Sequence, residues 1–144
     1  MKFKKDFGGR DKYFSCQYKK DLAGDCVVRA IAIATGTDYK IVWDSLFSLG
    51  HELGQLPNSY RIAEKYLNTL GWIKHKPMRK TNGKRYRLKN VPINPVGSYI
   101  FQTSGHMTAV VDGIQRDTWN CQDWVANSYY INQHGVNHER NKNT

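Results

Sequence analysis

Residues 106–119 read His-Met-Thr-Ala-Val-Val-Asp-Gly-Ile-Gln-Arg-Asp-Thr-Trp. Asp112-Gly113 is a two-residue hairpin signal between two apolar runs, because both central positions of the tight turn that fits a twisted hairpin need positive φ. Pinning that turn sets the register. Val111 faces Ile114, Val110 faces Gln115, Ala109 faces Arg116, Thr108 faces Asp117 and His106 faces Trp119. Side chains alternate along a strand, so His106, Thr108, Asp117 and Trp119 share one face. Asp117 then lies diagonal to His106 and within side-chain reach, while Trp119 is placed to shield the pair from water.

Outward from this hairpin, residues 97–102 and 128–131 read as further strands, and Trp72-Ile73 as the start of a short one. The preceding third is helical. A first helix is expected from Cys26 to Thr35, with Asp25 as N-cap and Gly36 as the stop. Val27, Ala30, Ile31, Ile33 and Ala34 leave it little polar surface, as a helix buried in the centre of a domain requires. Thr37 or Asp38 caps a second helix from Tyr39 to about Leu49, and Pro57-Asn58-Ser59 starts a third that ends at Gly71. Helices first and hairpin-connected strands afterwards predict an α+β domain, with N-terminal helices packed on a C-terminal antiparallel sheet. The 144 residues suit one domain, with residues 1–23 as a basic N-terminal arm and 132–144 as a polar tail.

Hydrophobic residues make up 40% of the chain, enough for one core. No apolar run approaches the ~20 residues needed to cross a bilayer, so no membrane partner is expected. The opening residues Met1-Lys2-Phe3-Lys4-Lys5-Asp6 are not followed by the apolar stretch of a signal peptide. Three cysteines without CxxC spacing fit a reducing compartment, and a cytoplasmic location is expected. His134 and His138 have metal-like spacing but no nearby cysteine pair, so no metal or other cofactor is expected. His51 and His75 read as surface residues.

The net charge of +10 is unevenly spread. Residues 74–89 carry eight basic side chains and no acidic one. Such a stretch attracts nucleic acid or an acidic protein by long-range steering, or simply keeps a face solvated.

Cys26, at a helix N-terminus, is the candidate nucleophile. The thiolate is the reactive form, and free N–H groups and the helix dipole lower a thiol's pKa. Paired with His106, and with Asp117 orienting the imidazole, it supplies the parts of a Cys-His-Asp triad. The backbone N–H of Cys26 is aimed at a developing oxyanion. Asp25, next in line, raises the thiol's pKa unless its carboxylate is occupied in capping. Asn120 is a rival orienting residue, but the register puts it on the opposite face. Cys16 and Cys121 read as structural thiols.

These motifs resemble the papain-like cysteine peptidases. Gly24-Asp25-Cys26 resembles that family's nucleophile segment, Gly105-His106 its histidine segment, and Asp117-Thr118-Trp119 its Asn-Ser-Trp segment with Asp replacing Asn. The likeness covers roughly residues 16–35 and 97–120. More narrowly, the chain resembles small phage-encoded proteins of this fold. The family's oxyanion glutamine sits six residues before the cysteine. That position is Lys20 here, and Gln17 is the nearest glutamine upstream. The resemblance implies a cysteine hydrolase cleaving an amide in a protein or peptide through a thioester acyl-enzyme. The other class in view is a catalytically silent papain-like scaffold that binds nucleic acid or a host protein through Lys74–Lys89.

Overall fold

A computed structural model describes residues 1–14 and 23–133. Three helices, α1 (Cys26–Thr35), α2 (Tyr39–Leu53) and α3 (Tyr60–Thr69), precede most of a six-stranded sheet. Its strands are β1 (Lys2–Lys5), β2 (Trp72–His75), β3 (Ser98–Thr103), β4 (His106–Val111), β5 (Ile114–Asp117) and β6 (Tyr129–Asn132). The spatial order is β1-β5-β4-β3-β6-β2. The class is α+β, and no helix among the described residues is long and apolar enough to cross a membrane.

The β4–β5 hairpin has the expected register, with Ala109, Val110 and Val111 opposite Arg116, Gln115 and Ile114. Asp112 and Gly113 both take positive φ, 51° and 75°, the geometry that such a turn demands. β5 ends at Asp117, two residues before the expected Trp119. Gly36, with φ 71°, ends α1 by returning its N–H to the Ala32 carbonyl. Asp38, not Thr37, caps α2 by accepting from the N–H groups of Lys40 and Ile41. That helix passes the expected Leu49 and runs to Leu53. Gly50, inside the helix, lets the Gln55 carbonyl pack where a Cβ would sit, and Gly54 (φ 66°) supplies the stop.

Three expectations are corrected. The sheet is mixed rather than antiparallel, because β1 runs parallel to β5, from Lys2 opposite Ile114 to Lys5 opposite Asp117. The N-terminal arm is therefore partly an edge strand. Its three lysines show no apolar period, yet edge pairing uses backbone groups, and lysines on an edge discourage further strand addition. At the other end, Asn132 belongs to β6, not to the tail. His75 stacks on Tyr129 at 5.2 Å between centroids rather than standing free on the surface.

α1 lies against the sheet centre. Val27, Ile31, Ile100, Met107, Ala109 and Tyr130 belong to the core on the helical side. Alternation sends Phe101 and Val110 to the opposite side, with Leu88, Val91, Cys121 and Ala126. Truncation of the fully buried Ile31 to alanine is expected to cost about 2–5 kcal/mol in urea denaturation. Ile41→Ala, on the exposed face of α2, should stay within about 0.5 kcal/mol.

Candidate active site

Three elements deliver the site. The N-terminus of α1 brings Cys26, the first residue of β4 is His106, and the last residue of β5 is Asp117. His106 Nε2 lies 2.6 Å from Asp117 Oδ2. The Cys26 thiol lies close enough to the His106 side chain and the backbone N–H of Met107 for both to lower its pKa. With Nε2 engaged by Asp117, Nδ1 is the ring nitrogen left for the sulfur. The indole of Trp119 lies tilted against the imidazole, 4.7 Å between centroids. Being 38% exposed itself, it shields one side of the pair. Cys26, His106, Asp117 and Trp119 are thus brought together as the hairpin register implies. Cys16, Gln17, His134 and His138 lie outside the described residues.

The electrostatics favour a charged pair. Burial opposes ionisation of all three groups. At His106 the Asp117 hydrogen bond, the Cys26 hydrogen bond and both charges overcome it, pushing the imidazole from 6.5 up to about 9. At Cys26 burial is outweighed by the His106 hydrogen bond, the Met107 N–H, and the charges of His106 and Arg29, so the thiol pKa falls. Asp117, also buried, is held below its ordinary value by the bond and charge of His106, the Thr108 hydroxyl and the Thr118 N–H.

Arg29 is the residue that sequence reasoning missed. It sits one turn into α1, buried, with one guanidinium nitrogen on the Asp25 carboxylate and the other 3.5 Å from Asp117 Oδ1. Asp25 occupies the N-cap position but makes no side-chain capping bond. Its carboxylate instead receives Arg29, the Tyr39 hydroxyl at 2.5 Å and Arg10 at 3.2 Å. The carboxylate beside the nucleophile is therefore occupied, though not by capping. Its side chain therefore accepts none of the first-turn N–H groups, which have no partner within the helix. A signal for Arg29 was present: a lone charge in an apolar helix must be paired if buried, and Asp25 stands four residues before it.

His106, Asp117 and Cys121 each place a potential ligand atom within 4.8 Å of the others. A metal would need Cys121 as a thiolate. Burial and then the Asp117 charge push that thiol up to about 12, and it accepts a hydrogen bond from Gln115 Nε2 at 3.0 Å. This chemistry suits a structural thiol better than a ligand. Beside Cys26, a shallow pocket of ≈ 300 Å³ is lined by Val27, Asn58, Tyr60 and Gly105. Burial and the Cys26 charge raise the pKa of Tyr60 there.

Arg29→Met removes the cation shared by two buried carboxylates and is expected to cost about 3–5 kcal/mol in urea denaturation. Lys40→Met, which breaks the exposed Lys40–Asp44 pair, should change stability by under about 0.5 kcal/mol. No protein-family model, curated protein or solved structure matches the chain.

Proposed function

We propose that this chain is a cysteine hydrolase of papain-like design, cleaving an amide bond in a peptide or protein. One observation carries the reading. The Cys26 thiol lies beside an imidazole that lowers its pKa and whose Nε2 is 2.6 Å from a buried carboxylate. The chain order Cys, His, Asp and the nucleophile's place at the front of a central helix support the papain-like assignment.

In this mechanism the Cys26 sulfur attacks the carbonyl carbon. The carbonyl π electrons move to oxygen, and the N–H of Cys26 stabilises that charge. His106 then gives its proton to the departing nitrogen, the C–N bond breaks, and an amine and a thioester remain. Water, deprotonated by His106, attacks the thioester and releases a carboxylic acid and the Cys26 thiolate. Asp117 keeps the imidazole oriented throughout. Main-chain amides and isopeptides present the same carbonyl and leaving nitrogen to this thiol, so both belong to the proposed substrate class. The cytoplasm, which keeps thiols reduced, is the proposed compartment.

Iodoacetamide labelling tests the thiol. Because its pKa is lowered, Cys26 should alkylate selectively at pH values where an ordinary thiol, with a pKa of about 8.5, is mostly protonated. His106→Ala should move the labelling midpoint up toward that ordinary value. Cleavage of an unfolded protein, read by mass spectrometry of new termini, should vanish in Cys26→Ala. It should decline as pH rises through about 9, where His106 loses the proton owed to the leaving group. Equal, slow labelling of every cysteine, with no cleavage, would instead favour a silent binding scaffold.

A further inference from the structure

The basic stretch is stitched onto the site. Arg87 bridges Val125, Leu88 N–H donates to the Trp124 carbonyl at 2.9 Å, and Ala126 N–H donates to the Tyr86 carbonyl at 2.9 Å. This pairing holds Trp124 edge-on against Trp119, 5.3 Å between centroids, and Trp119 in turn rests on His106. Past Trp124 lies a second pocket of ≈ 510 Å³, lined by Arg85, Ser104, Asp123, Val125 and Asn127. Ser104 and Gly105 are the two turn residues between β3 and β4. Gly105 also lines the pocket at Cys26, so one turn separates the two cavities.

The charges in this second pocket are unequal. Asp123 is held by Lys89 at 2.6 Å, and its carbonyl accepts from Arg87 at 2.7 Å. Arg85 donates to the neutral side-chain oxygen of Asn127. Among the described residues no carboxylate pairs with Arg85. A guanidinium presents five donors in a rigid fork that matches a carboxylate. Asn127 orients this one without neutralising it.

We propose that the Arg85 pocket is a substrate subsite for a carboxylate on the leaving side of the scissile amide. This inference rests on the hydrolase reading. The leaving nitrogen takes its proton from His106, and the proposal routes the departing segment over Trp119, the indole that rests on that ring. From there the indoles of Trp119 and Trp124 lead to Arg85. An acidic peptide segment fits this path better than a nucleic-acid strand. The two indoles meet at 71°, which leaves no parallel faces for successive bases to stack upon.

The test uses full-length Cys26→Ala, which binds without cleaving. The probes are two peptide pools, acetyl-X-X-Glu-X-X-amide and its Gln counterpart, with X a mixture of uncharged residues. Equilibrium dialysis with mass spectrometry should show the Glu pool retained about tenfold more tightly, the value of a charge-assisted bond. Adding Arg85→Gln should abolish the difference, and adding Lys76→Gln, in the same basic stretch but outside the pocket, should leave it intact. Equal retention of both pools overturns the subsite, as does equal loss in the Lys76 variant, which would mark a diffuse basic field. A single-stranded oligonucleotide that outcompetes the Glu pool, and whose own binding falls with Arg85→Gln, overturns it in favour of nucleic acid. The binding readout needs no catalysis. An unreactive Cys26 would sink the hydrolase reading, whereas equal pools beside a reactive Cys26 would sink the subsite alone.

Discussion

Asp117 is the group on which the site depends. One of its oxygens faces the His106 ring, and the other accepts the Thr118 N–H at 2.6 Å while lying near Arg29. A carboxylate removed from water costs several kcal/mol unless paired and hydrogen-bonded. Here the pairing is shared between a permanent cation and a conditional one. Arg29 is always charged and divides its guanidinium between Asp25 and Asp117. The remaining demand falls on His106, whose pKa is pushed up to about 9 against its burial, and His106 in turn lowers that of Cys26. Acidic and basic groups thus alternate along Asp25, Arg29, Asp117, His106 and Cys26, with Arg29 shared between the two carboxylates.

That alternation explains why the N-terminal residues belong to the site's support. Asp6 N–H donates to the Asp117 carbonyl at 2.9 Å, directly after β1 pairs with β5. The chain then crosses α1 at Gly8, where a Cβ would lie 3.3 Å from the Arg29 Cα, with φ at 69°. Glycine fits both the close approach and the left-handed backbone. Two residues on, Arg10 reaches Asp25 and the Tyr39 hydroxyl. A single pass of backbone thus braces Asp25, Arg29 and Asp117 together.

The hairpin and the first helix were legible because their signals are local. Asp112-Gly113 dictates its own turn, alternation follows from it, and face parity was enough to choose Asp117 over Asn120. Gly36 and Asp38 likewise act on adjacent backbone. β1 was illegible for the opposite reason. A parallel partner more than a hundred residues away leaves no trace in four residues, three of them lysines. Asp25 was legible as a position but not as a partner, since its choice between helix N–H groups and Arg29 is made by the surrounding packing. The Arg85 pocket was visible only as charge, because its walls come from segments nearly forty residues apart.

The β1–β5 pairing also sets an order of events. Residues 2–5 pair with 114–117, so this sheet edge closes only when segments more than a hundred residues apart come together. Contacts between such distant segments carry a large loop-closure cost and form late. Until then Arg10 and Gly8 are not in place beside Asp25 and Arg29. The local β4–β5 hairpin can bring His106 to Asp117 on its own, so the bracing of the buried charges, rather than their meeting, is the late step of folding.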